Sequence, residues 1–100
     1  AAADEVLREL PFSIGISALE LGYDSDETVV IQGIIDLVLR EDGEYTIIDY
    51  KTNLSRDYDK LREHYAPQLG FYRRALEQSR GVRAKSCLLC FIRSGGVLEV

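Results

Sequence analysis

Two aspartates and a lysine have the types and the spacing for metal-assisted hydrolysis. Asp36 lies inside the aliphatic run GIIDLVL, and Asp49 and Lys51 lie at the end of TIIDYK. Charged side chains are seldom buried without a partner, and an unpaired buried charge is costly. Between the two runs sits EDGE (41–44), whose Asp-Gly pair is a strong hairpin signal. With Arg40 paired to Tyr45, counting back along both strands sets Asp36 opposite Asp49. Directly paired residues share a face, with Cβ atoms roughly 5 Å apart. Lys51, two residues further on, shares that face. Like charges placed this way repel, and something must offset the repulsion. A hard divalent cation would, because Mg²⁺ takes oxygen ligands and usually one or two carboxylates plus waters. Such an ion polarises a phosphoryl oxygen and acidifies a bound water. A neighbouring lysine orients or activates that water and stabilises developing negative charge. Taken singly, Asp36 reads better as a strand-end acid paired with Arg40 or Lys51, and Asp49–Lys51 as a surface ion pair. Their joint placement on one hairpin face favours the site.

The elements that must position these residues are legible in the hydrophobic pattern. In LPFSIGISALEL, Phe12, Ile14, Ile16 and Ala18 fall on one strand face, and GYDSDE (22–27) is a turn. TVVIQGIIDLVLR (28–40) is nearly continuous aliphatic sequence and predicts a strand buried on both faces. YTIIDYK (45–51) is the third strand, with Tyr50 pointing to the face opposite Asp49 and into the core. A long helix follows. Ser55 is its expected N-cap, and Gly81 its C-terminal stop. Leu61, Tyr65, Leu69, Tyr72 and Leu76 form its apolar stripe. Pro67 lies inside this pattern and predicts a kink or a restart. Gln68 sits on the same stripe, three residues after Tyr65 and four before Tyr72. A glutamine among core-facing residues needs partners for its amide, and these include a phosphate or a metal-bound water as readily as packing at the core edge. Tyr72 also reads as a core residue with its hydroxyl satisfied at the rim. The chain closes with AKSCLLCFIR, the turn SGG and VLEV, a terminal hairpin. The order β-β-β-α-β-β makes an α+β fold with a mixed central sheet and one long helix.

Composition narrows the function classes. One hundred residues make one domain with a modest core, and no run approaches the roughly 20 apolar residues of a membrane span. The acidic start is no signal peptide, and a cytosolic location is the default. A net charge of −5 argues against a freestanding DNA-binding module. It leaves open a site that handles phosphate through a metal, with the basic track on a neighbouring domain or chain. Cys87 and Cys90 lie three apart in a strand, on opposite faces, and no further Cys or His pair completes a zinc site. They read as buried structural thiols. His64 reads as a solvated helix residue. No Ser/His/Asp set and no Gly-rich phosphate loop are present.

Gly33-x-x-Asp36, twelve residues, Asp49-Tyr50-Lys51-Thr52, then Gln68-x-x-x-Tyr72 with Tyr65 three residues earlier form an ordered set. Each motif is short, but their order, spacing and placement on strands and helix are fairly specific. Together they resemble the RecB-type branch of the PD-(D/E)XK nucleases, carried by bacterial helicase–nucleases. RELPF (8–12) and CFIRSGGVLEV extend the likeness over nearly the whole chain. The resemblance implies a three-layer-like, restriction-endonuclease-type core. It implies Asp36 and Asp49 as metal ligands, completed by the backbone carbonyl of Tyr50, with Mg²⁺ or Mn²⁺ as the ion. Lys51 becomes the catalytic lysine. Gln68 and Tyr72 line the site and contact DNA or the catalytic groups. Glu9, in a family-like E-x-P-F stretch, takes a structural role first. The implied partners are DNA, the rest of a helicase–nuclease chain and its partner subunit, in the bacterial cytoplasm. The implied activity is exonucleolytic. Members of this branch carry a further metal-binding histidine on a helix before the first strand, which the present sequence does not contain. Residues 1–100 are therefore expected to be a single nuclease-like domain from the C-terminal end of a larger protein. A nuclease fold kept for structural or DNA-guiding work is the alternative. A standalone resolvase-like or CRISPR-associated nuclease is a third reading, and the lack of a four-cysteine cluster argues against its iron–sulfur members.

Overall fold

β-branched and aromatic residues dominate the stretches expected to be strands, and the computed structural model, which describes residues 3–100, forms strands there. The single domain expected over 1–100 thus includes two residues, Ala1 and Ala2, that lie outside the described ones. The elements are β1 (Glu5–Ser17), β2 (Thr28–Glu41), β3 (Glu44–Lys51), α1 (Tyr58–Arg80), β4 (Ala84–Phe91) and β5 (Val97–Glu99). They build one mixed α+β sheet in the order β1-β2-β3-β4-β5. Only β3 and β4 run parallel, and α1 is the crossover that a parallel pair needs.

The hairpin count is correct. Arg40 pairs with Tyr45 and Glu41 with Glu44. The two-residue loop places Asp42 at φ 52° and Gly43 at φ 78°, the positive pair that a type I′ turn requires. The helix stripe is also where it was expected. Leu61, Leu69, Tyr72 and Leu76 are buried, joined by Ala75, against a core of Ile35, Val38, Ile47, Leu89 and Phe91. Gly81, at φ 62°, ends the helix by donating its N–H to the Glu77 carbonyl at 2.9 Å.

Three expectations are corrected, and a fourth, the kink or restart at Pro67, loses its second alternative. The helix is capped by Asp57, whose carboxylate accepts from the Lys60 N–H at 3.3 Å. Ser55 instead accepts from the Asp57 N–H, shaping the turn before the cap. The helix is continuous through Pro67 without a restart. The proline forfeits one backbone bond on an exposed face, while Leu61 on one side and Leu69 and Tyr72 on the other pack on the same core. β2 is not buried on both faces throughout. Val30 and Ile34 are 60% and 55% exposed, because α1 covers one face and nothing among the described residues covers the other. For the same reason Tyr50 is half exposed and not in the core.

One irregularity crosses two strands. The β1–β2 ladder pairs Arg8 with Leu37 and Leu10 with Ile35, and skips the step between them, Glu9 and Asp36. Glu9 is left-handed, at φ 50°. Leu7 and Leu10 pack on one core, as do Val38 and Ile35. Side chains three apart in a regular strand point to opposite faces, so the kink turns both strands over at this step. A left-handed Glu costs roughly 1 kcal/mol that Gly does not. Glu9→Gly should therefore raise stability by about 1 kcal/mol, and Glu9→Val should lower it, read as opposite shifts of the urea midpoint.

Candidate active site

The ladder between β2 and β3 stops at Leu37–Ile48, one step before Asp36 meets Asp49. Had it continued, the Tyr50 N–H would have donated to a β2 backbone carbonyl. It donates instead to Asp36 Oδ2 at 2.9 Å. In an extended strand a residue's N–H and C=O point to the same edge, so the Tyr50 carbonyl also faces the side that β2 has vacated. Neither simple ion pair for Asp36 forms: Arg40 reaches Glu5, at 3.6 Å, and Lys51 reaches Asp49.

Asp49 is the one buried charged residue among those described, 3% exposed. Lys51 Nζ lies 2.7 Å from its Oδ2. The contact is off the line of an ideal hydrogen bond, and Lys51 is the donor that Oδ2 has. Burial pushes the Asp49 carboxyl above its ordinary pKa. Lys51 pulls it down, and neighbouring Asp36 pushes it up again.

Lys51 Nζ donates to Gln68 Oε1 at 2.9 Å. An ammonium only donates, so it must meet the amide oxygen, and Gln68 Nε2 is left to donate to the Tyr72 hydroxyl at 2.8 Å. Burial first, then the charge of Asp49, holds the Tyr72 phenol above its ordinary pKa, so it stays neutral. The ring of Tyr65 lies under Lys51, with Nζ 4.3 Å from its centroid, and its hydroxyl donates to Asn53 at 3.0 Å. All five residues singled out from the sequence therefore converge. His64 stays on the exposed helix face, edge-on to Tyr65. Cys87 is core, with Arg73 donating to its sulfur at 3.4 Å, and Cys90 is half-buried. Burial raises the pKa of both thiols.

Asn53 and Phe12 were missed. Phe12 pairs with Gly33 across β1 and β2 and meets Tyr72 edge-on, ring centroids 5.3 Å apart. A Cβ on Gly33 would stand 2.7 Å from the Phe12 ring. The glycine three residues before Asp36 thus lets Phe12 lie across β2 and support Tyr72, which holds Gln68, which holds Lys51.

Comparison with known proteins places the chain in a family. The PD-(D/E)XK nuclease superfamily matches residues 2–98. The chain belongs to that superfamily. Asp49-Tyr50-Lys51 spells the (D/E)XK of the superfamily's name. An ATP-dependent helicase/nuclease subunit of Clostridium acetobutylicum is 33% identical over 98% of the chain. The same subunit of Geobacillus kaustophilus is 38% identical over 99%. The chain spans only 8% and 9% of these two relatives.

PD-(D/E)XK nucleases generally use divalent metal ions. The donor set fits one: two carboxylates, one of them buried, and a backbone carbonyl turned the same way. All are hard oxygen ligands of the kind Mg²⁺ takes, with waters completing the shell. No group of three or more His, Cys, Asp or Glu gathers among the described residues.

Two outcomes follow from these contacts. Gly33→Ala drives a methyl into the Phe12 ring and should cost about 1–3 kcal/mol in denaturant unfolding. Asp49→Asn should act in the opposite direction on the metal-free chain. The folded pKa of Asp49 is raised, so its cost is absent below the unfolded pKa and appears as pH rises through the folded one. Removing the charge should raise the melting temperature in EDTA at neutral pH and flatten its decline above about pH 4.

Proposed function

We propose that the chain is the nuclease module of a bacterial helicase–nuclease, working in the cytoplasm and hydrolysing DNA phosphodiester bonds, as an exonuclease, with Mg²⁺ or Mn²⁺. The observation that carries this reading is the buried Asp49 carboxylate beside Asp36, with the Lys51 ammonium 2.7 Å from one of its oxygens. Asp36, Asp49 and the Tyr50 carbonyl hold the ion. When bound, it polarises a phosphoryl oxygen and acidifies water. Lys51 orients the attacking water and places positive charge against the phosphate. Gln68 fixes the ammonium, and Tyr72 fixes Gln68. The relatives' names join helicase and nuclease in one polypeptide, and the chain covers under a tenth of their length, which supports a single domain within a larger chain that works with a partner subunit.

The second reading is a nuclease fold that guides DNA without cutting it. Its support is that, among the described residues, only two acidic side chains meet at the site. Calorimetric titration of Mn²⁺ and Mg²⁺ into the chain separates the two. The wild type should bind, and Asp36→Ala and Asp49→Ala should each weaken binding at least about tenfold. Equal affinity in all three proteins sinks the metal site, and the guiding role then stands.

A further inference from the structure

We propose that Tyr65 is a positioning residue for Lys51, holding the ammonium on the face of its ring so that one N–H stays available to the phosphate. The inference rests on the nuclease function proposed above. Lys51 Nζ is enclosed by three groups of different kinds. Gln68 accepts a hydrogen bond at 2.9 Å, Asp49 supplies charge at 2.7 Å, and Tyr65 supplies a ring face at 4.3 Å. The ammonium side chain is only 16% exposed, so water does little to hold it.

An ammonium has three N–H groups. Had an oxygen stood where the ring stands, every donor would be committed and a phosphate oxygen would have to displace a strong bond. A ring face attracts the charge without fixing a donor direction. It keeps Lys51 in place before substrate arrives and yields when a better acceptor develops.

The ring itself is held from both sides. Its hydroxyl donates to Asn53 at 3.0 Å, two residues beyond Lys51, so the loop after β3 grips the helix residue that supports the β3 lysine. His64 packs edge-on, its centroid 4.7 Å away. A tyrosine present only for packing would need neither the Asn53 bond nor a cation on its face.

Three variants and two readouts test this. Tyr65→Phe keeps the ring, Tyr65→Leu removes it, and pentafluorophenylalanine at position 65 keeps the shape while reversing the charge of the face. With Mn²⁺ and duplex DNA, Tyr65→Phe should keep most of the cleavage rate. Tyr65→Leu and the fluorinated ring should each lower kcat between about threefold and thirtyfold with KM unchanged. In lysine-labelled NMR spectra, the Lys51 ε-methylene protons should be shifted upfield by the ring in the wild type and Tyr65→Phe, and return to ordinary positions in Tyr65→Leu. Wild-type kcat in the fluorinated variant overturns the proposal, as does an unshifted Lys51 signal in the wild type. A wild-type chain that binds Mn²⁺ and cuts no DNA overturns the nuclease reading instead, and the NMR signals then decide the placement of Tyr65 alone.

Discussion

A carboxylate buried beside a second carboxylate is the constraint around which this small fold is arranged. Asp49 has lost nearly all its water and faces Asp36, and both effects raise its pKa. Inside a protein such a group requires partners, and each partner requires its own. Lys51 answers Asp49, Gln68 answers Lys51, and Tyr72 answers Gln68. Phe12 then supports Tyr72, and Gly33 makes room for Phe12. The sequence of needs runs from β3 through α1 to β1 and returns to β2, three residues from Asp36. Polar and apolar contacts are therefore one structure here, and a methyl at Gly33 bears on a lysine it never touches.

The strand ladders give way at the same place. Asp36 is skipped in the pairing with β1, and the pairing with β3 ends one step short of it. Opposite it, Glu9 holds a left-handed backbone that only glycine adopts without cost. Regular pairing would have engaged the backbone on both sides of Asp36 and set the two acids face to face in a closed sheet. The break lets the Asp36 carboxylate take the Tyr50 N–H and turns the Tyr50 carbonyl to an open edge. Strain of this kind persists only where surrounding packing enforces it, and it clusters at sites where geometry matters more than stability. Leu7, Leu10, Ile35 and Val38 supply that packing on either side.

Much of this was legible in the amino-acid sequence, and the remainder has identifiable reasons. The Asp-Gly loop fixed the β2–β3 register because only one short turn suits it, and the register set Asp36 toward Asp49. The helix stripe put Gln68 and Tyr72 where the site needed them. Phe12 was not legible as a support, since its pairing with Gly33 depends on how the segment between Ser17 and Thr28 folds, and the GYDSDE turn, unlike the two-residue Asp-Gly loop, does not fix a register. Asn53 was missed because it lies in a loop, where contacts depend on conformation and not on periodicity. Ser55 and Asp57 are both good caps two residues apart, and local propensity does not choose between them. The exposure of Val30, Ile34 and Tyr50 was unreadable for a different reason. An aliphatic run shows that a strand has two apolar faces, not that both are covered.

Charge decides how a DNA strand can approach such a surface. The chain is acidic overall, and several basic side chains are already engaged internally. Arg62 binds the Glu99 carbonyl, Arg74 pairs with Glu20, Arg80 with Glu5 and Lys85 with Glu44. With both acids ionised, Asp36, Asp49 and Lys51 together leave a net negative charge, which repels a phosphate. A divalent cation held by these acids, as proposed above, would reverse that sign. On the proposed reading, metal must therefore precede substrate at this site, and the long-range attraction that brings DNA to it must come from basic surface elsewhere in a larger protein. On that reading, a metal-dependent centre on an acidic domain separates holding DNA from cutting it. On the same proposed reading, that separation would suit a module whose substrate is fed to it by a motor, because affinity built into the site itself would oppose the movement of the strand through it.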